Sequence, residues 1–255
     1  MAGRDLYDDA RFFAGYRALR DSGIALNDAV EIPALERVLP PVVGASVVDL
    51  GCGAGELARR LADAGAAHVL AVDSSRRMLA LAVPHPRVRH LRADLEELAL
   101  PPGSADLVVS SLALHYVADY PGLVRRVARW LRPGGRFAFS VEHPVCTAAD
   151  PMTGWVRTER GTVWPVDDYA AEGPRTQRWI IDGVRKHHRR LATLIGALLA
   201  AGLELTDVDE PVPDPAALAA HPELSDHLRR PPLLVLAARC GDDGTKPTAR
   251  ERGTR

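Results

Sequence analysis

Val47-Val48-Asp49-Leu50-Gly51-Cys52-Gly53-Ala54-Gly55 sets a short apolar run directly against three alternating glycines. The run reads as a buried strand over Ser46–Leu50, and the glycines as a turn into a helix that continues to about residue 64. Glycine at such a turn permits unusual backbone angles and lets a ligand approach the main chain at a helix N-terminus with no Cβ in the way. Some twenty residues further on, Asp73 closes a second strand, His68–Asp73, where a carboxylate can accept both hydroxyls of a ribose. Strand, glycines and spaced acid together describe an adenosine-binding βαβ unit.

The same residues discriminate between cofactors. A dinucleotide turn wants a third glycine at the helix entry, where this chain has Glu56, and it serves a pyrophosphate that a carboxylate at Asp49 repels. A cofactor with a cationic amino group or sulfonium welcomes that acid, which favours S-adenosylmethionine over NAD.

Working outward, strands are expected over 88–93, 106–111 and 136–141, helices over 75–83 and 120–131, and two closing strands over 203–209 and 233–239. A helix is expected over 184–201, ended by Gly202, and an amphipathic helix over 5–26. The rhythm breaks between 142 and 181, which holds three of the four tryptophans among prolines and glycines. The expected architecture is an α/β, Rossmann-like, doubly wound sheet of seven mostly parallel strands, with one antiparallel strand near the C-terminus. It forms one domain over 1–240, with an N-terminal lid (1–30), a substrate-cap insertion (142–181) and a disordered tail (241–255).

With Asp49, Gly51, Gly53 and Gly55 in the first turn, Asp73, Asp94 in Arg92-Ala93-Asp94-Leu95, Asp106-Leu107-Val108-Val109-Ser110-Ser111 and Leu131-Arg132-Pro133-Gly134-Gly135, the chain resembles the class I S-adenosylmethionine-dependent methyltransferases over nearly its whole length. Ser140-Val141-Glu142-His143-Pro144, Trp164-Pro165-Val166, Glu172-Gly173 and Lys186-His187-His188-Arg189 are similar to a bacterial small-molecule branch, some of whose members act on specialised metabolites, among them an indole C3-methyltransferase of pyrroloindole alkaloid biosynthesis. The resemblance implies methyl transfer to a small organic acceptor with release of S-adenosylhomocysteine. It assigns Asp49 to the amino acid end of the cofactor, Asp73 to the ribose and Asp94 to the adenine. Gly51, Cys52 and Gly53 in the turn, Ser74 and Met78 beyond Asp73, Leu95, and Ser110 on the fourth strand complete the expected cofactor site. Asn27 and Glu31 also match the branch, with only a structural role to assign.

Methyl transfer from a sulfonium needs alignment more than elaborate catalysis: prepositioning supplies on the order of 7–11 kcal/mol, and a general base about 10²–10⁴-fold. Glu142 and His143 follow the fifth strand at the carboxyl end of the sheet, as base or acceptor anchor, or else as a polar pair fixing the turn before Pro144. His115, with Tyr116, faces the same crevice, as a contact to substrate or cofactor or as a packed histidine. Of His187 and His188 the resemblance favours His188; the plainer alternative is a solvated basic helix start. Tyr7 and Tyr16 are candidates to close over the sulfonium, or simply to pack an amphipathic helix. Trp155, Trp164, Tyr169 and Trp179 are candidates for an aromatic acceptor pocket, or for packing the insertion onto the sheet.

Composition bounds the alternatives. Thirty-two basic and 33 acidic residues leave a net charge of −1, so no charge excess points to nucleic acid or an anionic membrane. The three cysteines, Cys52, Cys146 and Cys240, are odd in number and far apart, so neither a disulfide framework nor a metal knuckle is expected. No metal is expected, and the start of the chain carries no signal peptide, so a cytoplasmic location is the default. An NAD-dependent oxidoreductase and a non-catalytic S-adenosylmethionine-binding protein stay open as alternatives; the oligomeric state is not legible.

Overall fold

Alternation of period two in Ser46–Leu50 (β1) turns Val47 to one face of a sheet and Val48 and Leu50 to the other, and each face finds its own core. The computed structural model describes residues 6–21 and 26–242. Within them the chain runs α1 (Ala10–Asp21), a π-helical turn (Asn27–Glu31) into α2 (Ile32–Val38), β1, α3 (Glu56–Asp63), β2 (His68–Asp73), α4 (Arg76–Leu79), β3 (Val88–Arg92) and β4 (Ala105–Ser110). A single 3₁₀ turn (Leu114–Tyr116), α5 (Tyr120–Trp130) and β5 (Leu131–Glu142) follow. Beyond β5 come α6 (Pro144–Thr147), the short pair β6 (Val156–Thr158) and β7 (Gly161–Val163), and the hairpin β8 (Gly173–Trp179) and β9 (Ile181–His188). The chain closes with α7 (Leu191–Ala200), β10 (Leu203–Asp209), α8 (Pro215–Ala220), a 3₁₀ segment (Pro222–Leu228) and β11 (Leu233–Cys240).

Seven strands form one sheet in the order β10-β11-β5-β4-β1-β2-β3. β11 runs antiparallel to both of its neighbours, and the inner pairs are parallel, Val47 facing Val69 on β2 and Leu107 on β4. On one face Val48, Leu50, Val108, Phe137 and Phe139 pack with Tyr120, Leu123, Val127, Leu194 and Leu198. On the other, Val47, Val69, Leu107 and Val109 pack with Leu35, Leu57, Ala58 and Leu61. Strand order reverses between β1 and β4, and in such sheets the ligand crevice lies beyond the carboxyl ends of the strands at that switch point.

Three expectations are corrected. The stretch expected as helix over 184–201 is strand to His188, and the helix begins only at Leu191. Val184, Lys186 and His188 are buried while Arg185 is exposed, which is strand periodicity. The elaboration after the fifth strand therefore continues beyond 181 to the end of the hairpin. The helix expected over 75–83 is one turn, Arg76–Leu79, capped by Ser75 and followed by loose turns before Pro84. The N-terminal helix expected over 5–26 starts at Ala10, where Asp9 Oδ1 accepts the N–H groups of Arg11 and Phe12 at 2.9 Å. Residues 1–5 and 22–25 of that segment lie outside the described residues, as does the expected tail after residue 242.

Candidate active site

The glycine loop after β1 is tied to the end of β2. Gly51 and Cys52 donate to the Val72 carbonyl at 2.8 and 2.9 Å, and Gly53 donates to Asp73 Oδ2 at 2.8 Å. Ser75 donates to Asp73 Oδ1 at 2.8 Å, so each carboxylate oxygen keeps accepting capacity beyond the loop. Gly51 has φ 75°, and a Cβ there would come within 2.2 Å of the Ala113 Cβ. Only glycine fits that bend, for sterics as well as torsion.

Above the loop lies a cavity of about 960 Å³, fed by the carboxyl ends of β1 to β5. Asp49 lines it while only 1% exposed, and its carboxylate oxygens make no well-formed hydrogen bond, although the Ala58 N–H lies close enough to oppose the effect of burial. Burial, with the Asp73 charge adding, pushes its carboxyl up to about 7. A buried carboxylate so weakly satisfied is costly unless a cation meets it.

One wall is aromatic. Tyr7 packs edge-on against Tyr16 at 5.1 Å and Tyr116 at 6.2 Å, and Phe12 joins this cluster to Trp179 at 5.3 Å. Tyr7, Tyr16, Tyr116 and Trp179 all reach the cavity. Beside them Lys186, 2% exposed, donates to Glu142 Oε1 and lies 4.8 Å from the Trp179 ring centre. Burial opposes ionisation of Glu142, yet the adjacent ammonium holds its carboxyl below the ordinary value. His115 is 5% exposed with Nδ1 unpartnered, and burial drives its pKa down to about 3, so its ring is neutral.

These features coincide with a known family. The methyltransferase domain family matches residues 48–139, from β1 through the glycine loop and Asp73 into β5. A crystal structure of an S-adenosylmethionine-dependent methyltransferase from Mesorhizobium loti is 45% identical, with a TM-score of 0.77, covering 82% of this chain and 97% of that one. The chain belongs to the S-adenosylmethionine-dependent methyltransferases. An uncharacterized protein of Haemophilus influenzae is 32% identical to this methyltransferase over 249 residues, 92% of this chain and 96% of the relative. A trans-aconitate 2-methyltransferase of Deinococcus radiodurans is 43% identical over 120 residues, but the match covers only 45% of either chain.

The methyltransferase's residues fit the cofactor. Asp49 is a buried carboxylate without a well-formed hydrogen bond, the chemistry that an amino acid ammonium completes, and Asp73 still has room for hydroxyls. Of the residues expected around the cofactor, Tyr16, Asp49, Gly51, Cys52, Gly53, Asp73, Ser74, Met78, Asp94 and Leu95 line the cavity. Ser110 does not: it is fully buried, donating to the Leu50 carbonyl at 2.7 Å, and it fastens β4 to β1.

Of the expected catalytic group, the methyltransferase brings Glu142 and His115 into the cavity and leaves His143 and His188 outside it. His143 Nδ1 accepts the Val145 N–H at 3.1 Å and Nε2 meets Glu210 at 2.7 Å, so it shapes the turn before Pro144. His188 is clamped between Thr147 Oγ1 at 2.8 Å and the Tyr169 carbonyl at 3.0 Å, on the strand face opposite His187. Tyr7 and Tyr116 reach the cavity, whereas Trp155, Trp164 and Tyr169 do not. Trp155 and Trp164 meet edge-on at 5.4 Å and are covered by Arg229 and Arg230, while the Tyr169 hydroxyl accepts the Leu191 N–H at 3.1 Å.

One contributor escapes sequence reasoning. Lys186 reads as part of a basic run, and only its pairing with a carboxylate 44 positions away makes it a site residue. Glu31, expected in a structural role, is fully buried and accepts from Ser111 and Ser140, joining β5 to the residue after β4. Among the described residues no group of histidine, cysteine or acidic side chains is placed to hold a metal, and no helix is long and apolar enough to cross a membrane.

Proposed function

We propose that this enzyme methylates a small organic acceptor of aromatic, indole-like shape, held against Trp179, Tyr116 and Tyr7. The observation that carries this reading is the continuity of one cavity from Asp49 and Asp73 to that aromatic wall and to Glu142 and His115. S-Adenosylmethionine supplies a methyl group on a positively charged sulfur and leaves as S-adenosylhomocysteine. Asp73 holds the ribose hydroxyls, Asp94 the adenine amino group and Asp49 the ammonium. Tyr7 and Tyr16, carried by the N-terminal segment and α1, cover the cavity and exclude water from the reacting centre. Glu142, kept ionised by Lys186, accepts a hydrogen bond from the acceptor's N–H or O–H and can hold that proton at Oε2 as the acceptor's electrons are committed to the new bond.

The test is incubation of the purified enzyme with S-adenosylmethionine and a panel of indoles, phenols, aliphatic amines and aliphatic carboxylates, read by mass spectrometry. Methylated indoles or phenols, formed in step with S-adenosylhomocysteine, support the proposal. Turnover confined to the aliphatic members defeats it.

A further inference from the structure

Glu142 and Lys186 cancel each other's charge inside the cavity and still leave recognition capacity unspent. Oε1 of Glu142 takes the Lys186 ammonium; Oε2 is buried with no partner. Nδ1 of His115, on a side chain more than nine-tenths buried, is likewise unpartnered, and both residues line the cavity. Other cations nearby have further partners, although the Arg230 charge, like that of Lys186, also lowers the Glu142 carboxyl. Arg189 donates to the carbonyls of Leu114, Val117 and Ala118 and stacks 5.2 Å over the Tyr120 ring. Arg230 lies 3.8 Å over Trp164 and contacts Cys146 Sγ. Arg185 lines the cavity from the exposed face of β9.

We propose that the part of the acceptor beside the transferred methyl is an uncharged hydrogen-bond donor, an aromatic N–H or O–H, received by Glu142 Oε2 and His115, with Lys186 as the positioning residue that neutralises Glu142. This rests on the methyltransferase reading above and narrows its acceptor class. An ammonium would meet a carboxylate whose charge Lys186 has already spent. A carboxylate has no hydrogen to give Glu142 Oε2, so it would leave that acceptor orphaned while its own charge is desolvated. A neutral donor satisfies the orphaned oxygen and adds no net charge.

The test uses the full chain saturated with S-adenosylhomocysteine and titrated calorimetrically near neutral pH with three probes of one shape: 2-naphthol, naphthalen-2-ylmethylammonium and 2-naphthoate. The wild type is expected to bind 2-naphthol at least about tenfold more tightly than either ion. Lys186→Met uncovers the carboxylate and should raise the ammonium probe's affinity about tenfold relative to 2-naphthol; Glu142→Gln should do the same for 2-naphthoate. Lys186→Arg and the double variant Glu142→Gln/Lys186→Met both keep the pair neutral overall and should keep the wild-type order, which a merely structural lysine has no reason to do. If a single variant does not fold, the wild-type order decides alone. Equal binding of the three probes, or preference for an ion by the wild type, overturns this inference and leaves the methyltransferase reading intact. Absence of S-adenosylhomocysteine binding overturns that reading and this inference with it.

Discussion

The Asp73 carboxylate accepts the Gly53 N–H at 2.8 Å, so the acid that ends β2 is a structural member of the glycine loop after β1. Its removal acts twice. Asp73→Ala deletes the proposed ribose contact and also the acceptor for Gly53 and Ser75. Hydrogen bonds to a charged group are worth about 1.5–3 kcal/mol each, so S-adenosylhomocysteine affinity should fall at least about a hundredfold. Asp73→Asn, which keeps one acceptor oxygen, should melt at a higher temperature than Asp73→Ala while binding almost as poorly. Unchanged calorimetric affinity in both variants would remove the ribose assignment.

Asp49 gives the cofactor site a pH dependence of defined sign. Its carboxyl is raised to about 7 by burial, with Asp73 and Glu31 reinforcing and the Ala58 N–H and Arg60 opposing. A raised carboxyl stabilises the free protein at pH below its ordinary value near 3.8, and that contribution is lost as pH rises through about 7. Cofactor binding is expected to run the other way, because the ammonium proposed to meet Asp49 needs the ionised form. Below pH 7, binding must release the Asp49 proton, and affinity for S-adenosylhomocysteine should fall by up to about tenfold per pH unit. Calorimetry in buffers of different ionisation enthalpy counts that proton. Asp49→Asn should bind weakly with a flat profile, and a flat wild-type profile between about pH 5.5 and 8 would contradict the assignment.

Gly51→Ala separates loop geometry from chemistry, since it alters no polar group. The new methyl would sit 2.2 Å from the Ala113 Cβ, on a residue with φ 75°. The torsion costs about 1–2 kcal/mol and the overlap about 1–3 kcal/mol. A drop in melting temperature accompanied by loss of cofactor binding is expected. Gly44, also at positive φ but with nothing near its missing Cβ, is the control: Gly44→Ala should pay only the torsional part and bind normally.

Much of the cofactor half is legible because its signals are local. Ser46–Leu50, the glycines and Asp73 all fall within one βαβ unit, and the two closing strands are announced by apolar runs with turns on either side. The acceptor side is harder to read because its partners are distant. Trp155 and Trp164 cluster in sequence like a pocket, yet Arg229 and Arg230, far along the chain, occupy their faces. The β9 strand abuts the apolar helix Leu191–Ala200, so the two merge into one apparent helical run. With the strand hidden, Lys186 looks solvated, and the difference between His115 and His188 is invisible.

His143→Ala separates the two roles open to a histidine just after the fifth strand, catalysis and fixing the turn before Pro144. The side chain holds Val145 N–H and Glu210, not the cavity. Losing a cap of this kind costs about 0.5–2 kcal/mol. Thermal stability should fall by that amount while kcat stays within about twofold, whereas Glu142→Ala should depress kcat about 10²–10⁴-fold if it holds the acceptor's proton. A large kcat loss in His143→Ala at full stability would restore it to the reacting centre.

Gly15 on α1 receives Ile180, the residue at the tip of the β8–β9 hairpin: a Cβ on Gly15 would lie 2.4 Å from the Ile180 Cγ2. Ile180 sits at φ 65°, a costly torsion for a β-branched residue, and the notch in α1 is what the strained turn packs into. Trp179 beside it lines the cavity, as do Tyr7 and Tyr16 across the contact. The N-terminal segment is further latched by Asp8, which accepts from Ser75 Oγ at 2.7 Å and from the Arg77 N–H at 2.9 Å, one turn from Asp73. Gly15→Leu should therefore force α1 and the hairpin apart chiefly at the acceptor end, while the Arg20–Glu56 contact at 2.9 Å keeps the far end of α1 beside the glycine loop. Acceptor KM should rise about tenfold or more with S-adenosylhomocysteine affinity changed by less than about threefold. Equal losses in both would show that the N-terminal segment and the cofactor loop respond as one body, joined through Asp8, and Asp8→Ala would then reproduce the same paired loss.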